Sequence, residues 1–234
     1  MNIVVTGASK GIGKAIAEGF AAAYPGSHLI LCARHMSATA AWQRTLTERY
    51  SCRVSVFDAD LSLREGVDGF ADHVAEASDV VDILVNNAGF FEPGSVHNEP
   101  EGTLERMLDI NLKSAYHLTR RLLPGMMERR SGHVFNICSV AGLQAYPNGG
   151  AYSISKWALR GFSMNLREEL KDFNIKVSTV YPGATLTSSW DGFDIDPKRV
   201  MESADIAKMI IAATKLSPQA CVEEILIRPQ LGDL

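Results

Sequence analysis

Hydrophobic and polar positions along the chain alternate between two regimes. Short apolar runs rich in β-branched residues fill 2–6, 28–33, 53–58, 81–86, 132–138, 176–181 and 222–227. Between them, apolar residues recur every three or four positions, at 11–24, 38–50, 62–78, 99–129, 151–173 and 204–216. The first regime predicts strands buried on both faces, and the second predicts amphipathic helices. Ser62, with Glu65 three residues later, predicts a capping box opening the third helix. The long stretch 99–129 predicts a helix with an interruption. Pro182-Gly183 ends the sixth strand, and the segment 185–198, rich in Asp and aromatics, predicts a loop.

Strands that alternate with helices of this length pair in parallel through right-handed crossovers, which place helices on both faces of one sheet. The pattern therefore predicts an α/β fold, a doubly wound parallel sheet of seven strands. No repeat or linker divides the chain, so 1–234 reads as one domain with a substrate loop at about 185–200. Such sheets bind ligands outside the carboxyl ends of their strands. The residues to inspect are those following Thr6, Ala33, Asp58, Asn86, Cys138 and Tyr181.

Composition narrows the function. Of 234 residues, 46% are hydrophobic and 21% charged, which disfavours disordered, collagen-like and coiled-coil chains. A net charge of -4, with no basic cluster, disfavours a nucleic-acid partner. Cys32, Cys52, Cys138 and Cys221 form no CxxC unit, and the six histidines show no short metal-ligand spacing, so no metal site is expected. No apolar run reaches the roughly 18 residues of a transmembrane helix. A cytoplasmic protein without membrane contact is the expectation.

Three constellations carry chemistry. Thr6-Gly7-Ala8-Ser9-Lys10-Gly11-Ile12-Gly13 joins the first strand to the first helix, a GxxxGxG spacing. Gly7, Gly11 and Gly13 can supply the sharp turn, the close approach of backbone to a pyrophosphate and tight helix–strand packing. Where an NAD-preferring unit places an acid after the second strand, this chain has Arg34, whose planar fork suits a 2′-phosphate, with Lys10 as a second cation. NADP is the inference. Tyr152 and Lys156 share one helical face at a spacing of four, after Ser139 has left the preceding strand. A neighbouring ammonium favours the phenolate and fits a tyrosine for acid–base work. Each feature has a bland counterpart: a glycine-rich turn without a ligand, a solvated Arg34 and Lys10, Ser139 as a helix cap, Asn111 as a helix-interrupting polar residue, Asn86-Asn87 as a plain turn.

Taken together, TGASKGIG at 6–13, DAD at 58–60, NNAG at 86–89, Asn111, Ser139, YSISK at 152–156 and PG at 182–183 resemble the short-chain dehydrogenase/reductase family over essentially the whole chain. The resemblance implies a Rossmann-like domain and a catalytic set of Asn111, Ser139, Tyr152 and Lys156. Tyr152 would be the general acid in reduction and Ser139 would hold the substrate carbonyl. Lys156 would lower the tyrosine pKa and hold the nicotinamide ribose, and Asn111 would anchor a water. It further implies cofactor contacts from Gly7, Ser9, Lys10, Gly11, Ile12, Gly13, Arg34, Asp60, Leu61, Asn87, Ala88, Gly89, Tyr152, Lys156, Pro182, Gly183 and Thr187. The expected protein is an NADPH-dependent carbonyl reductase acting on a small-molecule carbonyl substrate. Its tail at 222–233 resembles bacterial members of sepiapterin-reductase type. Reduction of 3-oxoacyl thioesters is the alternative within the class, and a non-catalytic NADP-binding sensor or scaffold is the alternative outside it. Intact Ser139, Tyr152 and Lys156 argue against a sensor. Phe90, Phe91, Trp190 and Phe193 are candidates to line an apolar pocket. A homodimer or homotetramer is implied, with Leu112, Ala115, Phe162 and Leu166 as candidate contacts; the alternative for the same residues is packing on the sheet.

Overall fold

The computed structural model describes residues 1–187 and 196–233, without the side chain of Ser37. Seven of the apolar runs form strands: β1 (Asn2–Thr6), β2 (His28–Ala33), β3 (Arg53–Asp58), β4 (Ile83–Asn86), β5 (Gly132–Ile137), β6 (Ile175–Pro182) and β7 (Glu224–Ile227). All pair in parallel, in the order β3-β2-β1-β4-β5-β6-β7. The order reverses between β1 and β4, where Ile3, Val4 and Val5 pair with Ile83, Leu84 and Val85. Crossovers leave such a point on opposite faces and open a crevice at the carboxyl ends of the strands.

Successive residues of a strand point to opposite faces, and both faces are covered by helices, which is why the strands carry no polar alternation. Ile3, Val5, Leu29, Leu31 and Val85 pack under α1 (Gly11–Ala23), α2 (Ala40–Tyr50) and α7 (Ser203–Thr214). Val4, Ile30, Cys32 and Leu84 pack under α3 (Arg64–Ala77), α5 (Ser114–Arg129) and α6 (Gly150–Leu170). On α1 the buried positions Ile16, Ala17, Phe20 and Ala21 form one stripe. Phe20 is fully buried, which contributes roughly 1.5–3 kcal/mol.

The stretch 99–129 divides into α4 (Thr103–Leu108), a π turn at Asp109–Lys113 and α5. The interruption falls on Asn111, which is buried. Ser62 does not cap α3. The helix starts at Arg64 with Leu63 in the cap position, and the N–H and hydroxyl of Ser62 both donate to Asp60 Oδ1, at 2.9 and 2.7 Å. An Asx turn has taken the serine that a capping box would need. Ala115 and Leu166 are not available as contacts between copies. Both are 5% exposed, Ala115 packed with Cys138, Leu159 and Tyr181, and Leu166 within the sheet core beside α5. Leu112 and Phe162 are half-buried against the same clusters, while Tyr116, Ile154, Trp157 and Met164 carry the exposed apolar surface of these helices. No helix among the described residues is long and apolar enough to cross a membrane.

Candidate active site

The loop from β1 to α1 is shaped by what cannot fit in it. Gly7 and Gly11 adopt φ +66° and +55°, and a Cβ on Gly13 would come 2.3 Å from the Gly7 carbonyl oxygen and 2.4 Å from Asn87 Nδ2. The chain therefore turns in the left-handed region, and α1 starts directly against backbone. Lys10 occupies the cap position of α1 without a side-chain cap, leaving the first-turn N–H groups to face the crevice. A start of this kind is able to hold a phosphate group. Ser9 is half-buried and Lys10 exposed at its rim, whereas Ile12 packs onto the core.

Across the reversal, the Thr6 hydroxyl accepts the N–H groups of Asn87 and Ala88 at 3.0 and 2.9 Å, and Asn87 Nδ2 donates to the carbonyls of Thr6 and Gly7. These bonds lock the two strand ends together. Gly89 follows, and a Cβ there would stand 3.2 Å from Asn111 Oδ1 and 3.6 Å from Lys156 Nζ. Asn111 reaches this point because the π turn rotates it inward. Its Oδ1 accepts the Phe90 N–H at 2.8 Å, and its Nδ2 donates to the Phe90 carbonyl at 3.0 Å and to Ser155 Oγ at 2.9 Å.

Ser139 stands just past β5, its hydroxyl accepting the Ala141 N–H at 3.1 Å and hydrogen-bonded to the Tyr152 phenol. Its capping of a short turn and its approach to Tyr152 thus coexist. Tyr152 and Lys156 lie one helical turn apart, with Lys156 Nζ 5.7 Å from the centre of the Tyr152 ring and donating to the Ile137 carbonyl at 3.0 Å. Burial raises the phenol above its ordinary value, opposed by the Ser139 hydrogen bond. Burial lowers the Lys156 ammonium, with Cys138 acting in the opposite sense. Desolvation disfavours the charged form of each, so both groups are drawn towards neutrality.

The outer contacts are more dispersed. Arg34 is exposed at the end of β2, near enough to Asp60 to help hold that carboxyl below its ordinary value, an effect led by the hydrogen bonds from Ser62. Asp58 accepts the Met36 N–H and so fixes the turn that carries Arg34. Leu61 is 4% exposed and belongs to the core, leaving its backbone to face any ligand. Pro182 ends β6, and Gly183 is hemmed in by Asp233, Pro229 and Arg228 of the tail. Thr187 faces the glycine loop, its Cγ2 3.3 Å from where a Gly11 Cβ would be. Trp190 and Phe193 lie outside the described residues.

The family model for short chain dehydrogenases matches residues 1–196. The chain belongs to this family. Among relatives of this short chain dehydrogenase is a sepiapterin reductase of Chlorobaculum tepidum, 32% identical over 99% of this chain and 97% of the relative. Among solved structures, an alcohol dehydrogenase of the archaeon Thermococcus sibiricus, complexed with 5-hydroxy-NADP, superimposes with a TM-score of 0.90. It is 28% identical and covers 98% of this chain and 96% of its own. The L-sorbose reductase of Gluconobacter frateurii, complexed with NADPH and L-sorbose, gives 0.88 at 28% identity, covering 97% and 94%.

The structure also adds participants to the dehydrogenase that the motifs did not single out. Thr6 holds the loop after β4, Ser155 supports Asn111, and Glu99 accepts the Ala151 N–H at the start of α6. Ser155 lies inside YSISK and could have been read from its place one residue before the lysine. Thr6 opens TGASKGIG, but its partner lies 81 residues on, and Glu99 acts across 52 residues with no local signal.

Proposed function

We propose that this short chain dehydrogenase is an NADPH-dependent carbonyl reductase, reversible as an alcohol dehydrogenase. The observation that carries the reading is the grouping of Ser139 and Tyr152 with Lys156, one helical turn on, whose Nζ meets Asn111 at Gly89, beside the crevice that the uncapped start of α1 opens onto. The residues fit a dinucleotide. The glycine cradle and Lys10 would hold its pyrophosphate, Asp60 and Leu61 its adenine side, Arg34 its 2′-phosphate, and Asn87 to Gly89, Pro182, Gly183 and Thr187 its nicotinamide half. The NADP of the solved relatives supports this choice.

When bound, the nicotinamide supplies the hydride in reduction and takes it in oxidation. Tyr152, kept protonated by burial, gives its proton to the carbonyl oxygen as the carbon accepts the hydride. Ser139 donates a hydrogen bond to that oxygen and orients it. The phenolate left behind is offset by the positive charge on Lys156, which in this dry setting interacts far more strongly than it would in water. Asn111, tied at both ends of its amide, keeps Lys156 and the loop after β4 in register.

The substrate class we propose is a small ketone or dicarbonyl, including a pteridine side chain. The sepiapterin reductase among the relatives supports it. So does Phe91, whose ring meets Tyr152 edge-on at 4.9 Å and gives the site an apolar wall. NADPH oxidation followed by absorbance, against ketones, diketones, pterins and acyl thioesters, tests this directly. Turnover of acyl thioesters alone, or of none, rejects the assignment. Cofactor choice has its own test. A hydrogen bond to an ionised group makes Arg34 worth about 10-fold to 150-fold in favour of NADPH. Arg34→Asp reverses the kcat/KM preference by repelling the phosphate, measured at fixed ionic strength. A ratio that does not move places Arg34 away from the cofactor.

A further inference from the structure

We infer that Glu99 is a positioning residue: its carboxylate caps the helix carrying Tyr152 and so holds that helix and the loop after β4 as one unit around the Tyr152–Phe91 pair. The inference rests on the reading of Tyr152 as proton donor.

Helix α6 carries both Tyr152 and Lys156, yet provides no cap of its own. Gly149 fills the cap position, and the first turn contains no acidic residue. A helix N-terminus leaves its first N–H groups without partners, and these favour an anion. Glu99 Oε2 accepts the Ala151 N–H at 3.1 Å, one residue before Tyr152. The approach is possible because Gly150, at φ +33°, has no side chain. A Cβ there would come 2.4 Å from the Gly94 carbonyl oxygen and 2.5 Å from Glu99 Oε2.

Three further bonds tie the same two segments together or aim the carboxylate. The Gly94 N–H donates to the Asn148 carbonyl at 3.1 Å, and the Ser95 hydroxyl hydrogen-bonds to Asn148 Oδ1 at 2.9 Å. The Glu99 N–H donates to the Ser95 carbonyl at 2.9 Å, turning Glu99 back towards α6. At its other end the loop is held by Asn111 through both backbone polar groups of Phe90. Phe91 lies between these anchors, its ring at 78° to that of Tyr152. None of these contacts involves the glycine loop between β1 and α1. Loosening them acts on the carbonyl side of the site and leaves the glycine cradle and Arg34 as they are.

The test compares Glu99→Ala with Glu99→Gln in the full chain, since glutamine keeps an acceptor oxygen and loses only the charge. Hydrogen exchange over residues 146–155, NADPH titration by fluorescence, and kcat and KM for a carbonyl substrate are measured on each. Glu99→Ala is expected to lose exchange protection at the start of α6, to lower kcat about 10-fold and to raise the carbonyl KM, with the NADPH Kd unchanged. Glu99→Gln restores protection and most of the activity. Unchanged exchange in Glu99→Ala overturns the cap. Lost protection with unchanged kcat reduces it to a structural bond and overturns the positioning role, as does a Glu99→Gln variant impaired as much as Glu99→Ala or an NADPH Kd weakened in step with kcat. If the wild type turns over no carbonyl, the functional reading fails on its own, while the exchange comparison still decides whether Glu99 holds the helix.

Discussion

Burial pushes the Tyr152 phenol up and the Lys156 ammonium down, while Ser139 and Cys138 each pull the other way. Both shifts disfavour the charged form of the group. On the proposed mechanism Tyr152→Phe removes the transferable proton and little else. Its kcat is expected to fall by about 10²-fold or more, with NADPH affinity kept, since general acid catalysis contributes on that scale. A variant retaining a tenth of wild-type kcat would remove Tyr152 from the role. The fate of Asn111 shows what single residues reveal. Its type and place mark it in the sequence, but its hydrogen bonds to Phe90 and Ser155 depend on a π turn, and no side-chain pattern announces an extra residue within a helix.

Among elements, the β1–α1 turn tolerates little change. A methyl group on Gly13 meets a backbone oxygen, which cannot swing aside as a flexible side chain would. Gly13→Ala is expected to cost about 1–3 kcal/mol of stability, and to weaken NADPH binding in step, because the strain falls on the cradle itself. Urea unfolding and a cofactor titration check both parts. A stable variant with unaltered affinity would place the cofactor elsewhere. The strands were legible because parallel strands covered on both faces are continuous apolar runs, and most of the candidate site lies where those runs stop. What was not legible depends on partners distant in sequence. Ser62 satisfied a local capping rule, yet Asp60, two residues earlier, took its hydroxyl. For Ala115 and Leu166 both contact between copies and packing on the sheet stood open, because periodicity shows that a helix has an apolar face without showing what that face meets.

At the scale of the whole molecule, acid stability follows from one buried imidazole at the end of the sheet opposite the crevice. His133 Nε2 lies 2.8 Å from Ser178 Oγ. The Ser178 proton is itself committed to the Val222 carbonyl, so Nε2 is the donor to Ser178. Burial, with a smaller contribution from Lys176, pushes the ring down to about 3 from an ordinary value of 6.5. The unfolded chain therefore binds a proton below pH 6.5 that the native chain refuses until about pH 3, and stability declines across that window as pH falls. The slope from this group is about 1.4 kcal/mol per pH unit, or about 2 kcal/mol lost by pH 5. His28, lowered chiefly by burial, acts in the same direction. Urea unfolding at several pH values should show this slope in the wild type and a shallower one in His133→Gln. Equal slopes would assign the acid sensitivity to other groups.

The strand order has a consequence for the order of events as the chain is made. Neighbours at the reversal come from distant parts of the sequence: Asn87 reaches back 81 residues to Thr6, and Thr187 closes over a loop that begins at Gly7. Contacts of such long range form late and slowly, since the intervening chain must first be brought together. On the proposed reading, the cradle is complete only once the chain has been made as far as Thr187. Capture of the dinucleotide at that site would then come at the end of folding, and binding to the finished state alone would draw the last slow steps to completion.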